Sequence, residues 1–121
     1  MIRVTRLGSP RERGEGLRLG TVRRPPRGVR KADYARRNYY DLWLPELAPS
    51  TKLLSLSKDW GRFAKAYRRE MKRPAAQRLV ELLARLSHHA NFSVGCYCER
   101  EERCHRSILR KLLAEHGARI A

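Results

Sequence analysis

The sequence predicts an α/β fold, a sandwich built on a mostly parallel sheet. Three observations carry that expectation. Short strand-like runs occupy the first third of the chain and recur near residue 91. Apolar stripes of helical period fill the stretches between and after them. With 121 residues the chain can bury one hydrophobic core but not two, so residues 1–121 are read as one domain in which those elements pack together. Strands joined by helical crossovers run parallel.

"IRVTRL" (2–7) alternates apolar with polar residues and reads as a strand, and "GSPRERGEG" after it reads as a loop. "LRLGTVRR" (17–24) alternates again and is ended by "PPRG" (25–28), because two prolines cannot continue a ladder. "YYDLWL" (39–44) is a third strand stopped by Pro45, and "ELAPST" forms a turn. Asp59 is placed to cap a helix whose buried face is Trp60, Phe63, Ala64, Tyr67 and Met71. Pro74 opens the next helix, with Ala76, Leu79, Val80, Leu83 and Leu86 as its buried stripe. "NFSVGCYC" (91–98) is apolar and of strand length. "CHRSILRKLLAEHG" (104–117) is helical, with Ile108, Leu109, Leu112 and Leu113 inward and Gly117 as its stop. "ARIA" begins a last strand.

Charge is the strongest compositional signal. Lys and Arg total 28 against 12 acids, a net +16, and 22 of the 28 are arginine. Residues 1–40 hold 12 basic and 3 acidic residues, so over half of the excess lies in the first third. Arginine forks onto phosphate with paired hydrogen bonds, which favours nucleic acid or another phosphate-bearing partner. Arginine bias of a whole proteome would give the same count. No run of 18 apolar residues exists and "MIRVTRLGSPRERG" lacks the apolar middle of a secretion signal, so a cytoplasmic protein without a membrane partner is expected. Three closely spaced cysteines are an odd number and cannot staple a fold, which fits a reduced compartment.

All three cysteines lie in "CYCEREERCHR" (96–106), between a predicted strand end and a predicted helix start. Ligands of open α/β sheets bind beyond the carboxyl ends of the strands, and helix N-termini attract anions and acidify thiols. Cys104, flanked by Arg103, His105 and Arg106, is therefore expected to be the most acidic of the three. A zinc set of Cys96, Cys98, Cys104 and His105 fits poorly: the first two share one strand face, and adjacent Cys104 and His105 diverge on a helix. No metal and no cofactor are expected. Cys98 and Arg103 have the four-residue separation of a rhodanese-type anion cradle, but "EREE" puts three carboxylates where such loops want small residues. A third arrangement takes Glu99 as acid/base, Cys104 or His105 as nucleophile or proton carrier, and Arg106 as anion clamp. A purely structural cluster remains the alternative.

"CYCEREERCHRSIL" resembles the signature of the domain of unknown function 488 family, a cysteine and glutamate followed by Cys-His-Arg. "PPRGVRK" (25–31), "DLWLPELAPS" (41–50) and "FAKAYRREM" are similar to segments of its YeaO-like branch. The resemblance implies a small three-layer α/β domain and no settled activity. It maps the recurrent polar positions of that family onto Arg27, Lys31, Cys98, Glu99, Cys104, His105 and Arg106. The chain departs from the pattern at Thr21-Val22-Arg23, where many YeaO-like members have Val-Asp-Arg. The expected function is a Cys/Glu/His/Arg pocket that acts on or binds a phosphate-bearing ligand such as nucleic acid or nucleotide. A non-catalytic nucleic-acid-binding module and a zinc-stabilised interaction domain are the alternatives. Arginines converging on Cys104 favour the enzyme, and an even scatter favours the binding module.

Overall fold

The structure, a computed structural model, describes residues 1–121. Four strands, β1 (Ile2–Arg6), β2 (Leu17–Gly20), β3 (Leu42–Trp43) and β4 (Phe92–Cys96), form a sheet in the order β1-β4-β2-β3. Every pairing is parallel, with Ile2 and Leu17 both opposite Phe92 on the central β4. The helices are α1 (Thr51–Leu54), α2 (Trp60–Glu70), α3 (Pro74–Leu86) and α4 (His105–Glu115). Ile120 adds an isolated parallel bridge to Ile2, so the last residues do reach the sheet. The expected α/β class is the observed one.

The apolar stripes explain where the helices sit. Phe63, Tyr67, Val80, Leu83, Ile108, Leu109 and Leu113 bury one helix face each against Ile2, Leu19, Phe92 and Val94 of the sheet. The caps behave as their residue types dictate. Asp59 accepts from the Arg62 amide to start α2, Pro74 stands in the first turn of α3, and Gly117 follows α4 with φ of 84°.

The opposite face, carrying Arg18, Gly20, Ser93 and Gly95, is covered by irregular chain rather than by helices. Segments 7–16 and 21–41 form that third layer, with one short 3-10 turn at Lys31–Asp33. Two glycines let it press close: a Cβ on Gly20 would collide with the Tyr40 ring, and one on Gly95 would meet Leu7 Cδ2 at 2.6 Å. Gly20→Ala should therefore cost about 1–3 kcal/mol of overpacking, read as a lower denaturant midpoint at unchanged slope. Under the same layer Arg18 is fully buried. Its guanidinium donates to Glu15 Oε2 and Oε1 at 2.8 and 3.0 Å and to the Ser9 and Asn38 carbonyls at 2.8 and 2.7 Å. Ser93 Oγ donates to Glu15 Oε2 at 2.8 Å.

Several boundaries differ from expectation. β2 stops at Gly20 rather than Arg24, because Val22 turns into an apolar cluster with Leu7, Tyr40, Cys96 and Cys104. β3 keeps only two residues, since Tyr39 and Tyr40 belong to the covering layer. The "ELAPST" turn continues into α1, capped by Ser50, whose Oγ accepts from the Leu53 amide at 3.1 Å. Leu86 is 40% exposed at the end of α3, and Ala84 is buried instead.

Candidate functional site

The topology picks out one place for a ligand. From the carboxyl end of β2 the chain crosses toward β3 through the irregular layer. From the carboxyl end of the adjacent β4 it turns the other way, through α4, to the far side of β1. Connections diverge there to opposite faces, which opens a crevice between β2 and β4. Thr21 and Val22 follow β2, Cys96 ends β4 with Cys98 two residues beyond it, and Cys104 caps α4, which begins at His105.

The crevice is a cleft of about 480 Å³. Val22, Trp60 and Phe63 give it apolar walls, and Cys96, Cys98, Cys104 and His105 line it. Arg23, Arg24, Arg27 and Arg103 line it as well. Arg23 is tied to the Pro45, Ala48 and Pro49 carbonyls. Arg24, Arg27 and Arg103 are exposed, and no carboxylate pairs with any of them.

The three thiols differ in access. Cys98 is exposed, whereas Cys96 and Cys104 are buried, the latter 1% exposed. Cys96 Sγ lies 3.6 Å from Cys98 Sγ. Hydrogen bonds from the thiols of Cys104 and Cys96, together with the Arg106 charge, hold Cys98 well below the ordinary thiol range. Cys104 is pushed up by its bonds to Cys96 and Cys98 and by burial. Cys96 gains from its bond to Cys104, but its bond to Cys98 and its burial push it up to about 11. The expectation that Cys104 is the most acidic thiol is corrected. Its position at a helix start is as anticipated, but it is buried beneath Cys98, which takes the charge.

His105 is buried, and desolvation pushes it down to about 4, so it is neutral near pH 7. Its Nε2 lies 2.6 Å from the Thr21 carbonyl oxygen, which can only accept. The proton therefore sits on Nε2, and Nδ1 is a free lone pair 3.8 Å from Cys104 Sγ. Cys104 and His105 converge because Cys104 is the N-cap of α4, extended at φ −123° and ψ 147°, and not yet helical. Behind Cys98, Arg106 is 4% exposed and donates from Nη2 to the Cys98 carbonyl at 2.9 Å. Its Nε has no partner and no carboxylate neutralises it.

Of the residues singled out in the sequence, Cys98, Cys104, His105 and Arg106 come together, and Arg27 joins them from the cleft wall. Glu99 does not. Its exposed carboxylate turns toward Arg6, 3.6 Å from Nη2, outside the cleft. Lys31 lines a separate hollow with Tyr34, Tyr40 and Trp43. Sequence reasoning missed Thr21, which serves through its carbonyl, a group every residue type has, and Arg24, one of many arginines in its segment. Val22, where the acid of the related pattern is absent, is 3% exposed and packs with Cys96 and Cys104.

No helix is long and apolar enough to cross a membrane. No curated protein and no solved structure matches the chain. A family model described as the active DUF488-N3 subclade matches residues 2–117, nearly the whole chain and all of the cleft. The chain thus belongs to the domain of unknown function 488 family, as its Cys-His-Arg segment suggests.

Proposed function

We propose that the cleft is a thiol-dependent site for a phosphate-bearing ligand, with Cys98 as the reactive group. The observation that carries this reading is that the one exposed thiol, Cys98, lies just past β4 in a cleft lined by arginines that no carboxylate neutralises. Arg24, Arg27 and Arg103 would grip the anionic group, each able to present a fork of donors to phosphate. The Cys98 thiolate would form a bond to the electrophilic atom, and the bond from that atom to its leaving oxygen would break. The electron pair would stay on that oxygen, beside the rim arginines. His105, oriented by the Thr21 carbonyl, turns its unprotonated Nδ1 toward Cys104 Sγ. Glu99, outside the cleft, has no part in this step.

Iodoacetamide labelling of native protein, followed by mass spectrometry of the peptides, tests it. Cys98 should be alkylated first, with Cys96 and Cys104 silent until unfolding. Inorganic phosphate or a short oligonucleotide should slow the reaction, and Arg27→Ala with Arg103→Ala should remove that protection. Labelling that is indifferent to both anions at low salt would sink the reading.

A non-catalytic nucleic-acid-binding role is the second reading, favoured by the net charge of +16. It expects oligonucleotide binding that survives the combined Arg27→Ala and Arg103→Ala substitution, because basic residues outside the cleft carry it. On duplex its affinity should fall with salt at a log–log slope of about −0.9 per phosphate contact. Anisotropy at two salt concentrations, with and without the substitution, separates the two readings.

A further inference from the structure

We propose that Cys96, Cys104 and His105, closed by Cys98, bind one zinc ion in the tetrahedral Cys3His manner. The two objections raised by sequence spacing do not survive the geometry. Cys98 lies beyond the end of β4 rather than along it, so its sulfur comes back to 3.6 Å from that of Cys96. Cys104 is extended rather than helical, so its sulfur and the ring of its neighbour meet instead of diverging.

The distances suit zinc. With Zn–S near 2.3 Å, the sulfurs of a tetrahedral site stand about 3.8 Å apart, and sulfur and nitrogen slightly less. Cys96 and Cys98 are at 3.6 Å, and Cys104 Sγ and His105 Nδ1 at 3.8 Å. The ligand atoms of Cys96, Cys104 and His105 all lie within 4.8 Å of one another.

Three further features belong to a metal site rather than to a chance cluster. The free ring nitrogen of His105 is the one turned inward, while the other donates to the Thr21 carbonyl. Metal-bound histidines are oriented by such an outer bond. Thiolates with imidazole make a soft set that suits zinc and disfavours magnesium or calcium. The charge also closes: zinc with three thiolates and a neutral imidazole carries −1, and the buried, acid-free Arg106 behind Cys98 supplies +1. The cleft gives the ion its way in.

This inference does not rest on the thiol chemistry proposed above. It adds a second state of the same residues, in which a bound ion ties up Cys98 and silences it.

The test uses the full chain, reduced and freed of metal, then given cobalt(II) or zinc(II) alone. Cobalt should produce the intense visible bands and the sulfur-to-metal charge-transfer absorption of a tetrahedral thiolate site. Zinc should remain at one per chain after desalting and should block alkylation of Cys98. Cys104→Ser should abolish all three effects. Should that variant not fold, Cys98→Ser, at an exposed position, must lower zinc affinity at least as much as the roughly 10–100-fold that outer-shell partners carry. Absence of the cobalt bands together with loss of zinc on desalting would overturn the proposal. So would zinc that leaves Cys98 labelling unaffected, or that binds Cys98→Ser as tightly as the parent chain. Reactivity of Cys98 in the metal-free protein bears on the thiol reading alone, so the two can fail separately.

Discussion

Glu15→Ala should lower the melting temperature by about 10–20 °C. Arg18 lies fully buried beneath the irregular layer, and Glu15 is the only carboxylate that meets its charge. Removing one partner of a buried ion pair costs about 3–5 kcal/mol, because the other charge is left in a poor solvent. Against a typical stability of about 5–15 kcal/mol that is a large fraction. The double replacement Glu15→Leu with Arg18→Met should recover much of the loss, since an apolar pair of similar volume leaves no charge stranded. Calorimetry of the single and double variants checks both statements.

The same pair gives the protein an acid limit. Burial alone would raise the Glu15 pKa, but the hydrogen bonds from Arg18 and Ser93 outweigh it and hold the carboxyl below its ordinary value. A carboxyl depressed in the folded state stabilises fully above its unfolded pKa of about 4.3, and that contribution is lost as pH falls through the folded value. Stability should therefore be flat from neutral pH down to about 5 with respect to this group, and should decline below about 4. Glu15→Gln should lack that component of the decline.

Arg106→Met has the opposite profile. Arg106 is buried nearly as deeply as Arg18 but has no acid beside it, and its only side-chain bond is to the Cys98 carbonyl. Replacing a buried charge by an apolar side chain of similar length is often neutral or stabilising, so the melting temperature should stay close to that of the parent chain. Cys98 should feel the change instead. In chelator-treated protein the pH at which its alkylation reaches half of its plateau should rise, by less than loss of the Cys104 or Cys96 hydrogen bond would raise it, because the Arg106 charge is the smaller influence on the thiolate. An unchanged profile, or a melting temperature that collapses as in Glu15→Ala, would show Arg106 to be a structural residue. The two buried arginines differ in partner: Arg18 meets the carboxylate of Glu15, and Arg106 meets only the Cys98 carbonyl.

The helices were the most legible part of the sequence because their signals are local. Trp60 to Met71 and Ala76 to Leu83 repeat with helical period, and Asp59, Pro74 and Gly117 mark the ends by their own backbone chemistry. α1 was not legible, since four residues show no period, although Ser50 ahead of two leucines was a usable cap signal. The alternation of "LRLG" showed that Arg18 and Leu19 face opposite sides of the sheet. It could not show that both sides are covered, because the chain that buries Arg18 is irregular and carries no pattern.

In the site, Cys98, Cys104, His105 and Arg106 could be grouped because they fall within nine residues of one another. Their roles could not be assigned, because those depend on the extended cap at Cys104 and on which thiol ends uppermost. Glu99 is next to Cys98 in sequence, yet a single residue step outside a regular element turned its side chain toward Arg6.

The two walls of the cleft are made of different material. Cys96 and His105 stand on β4 and α4, whose length and orientation are locked by ladder and helix geometry, with Cys98 two residues past the strand and Cys104 capping the helix. Arg24 and Arg27 stand on segment 21–41, which follows no repeat and so can take an insertion without shifting the register of anything else. A longer segment there would reshape one wall of the cleft and leave the thiols of the other where they are. Swapping segment 24–38 between members of the family should carry ligand preference with it and leave the reactivity of Cys98 behind.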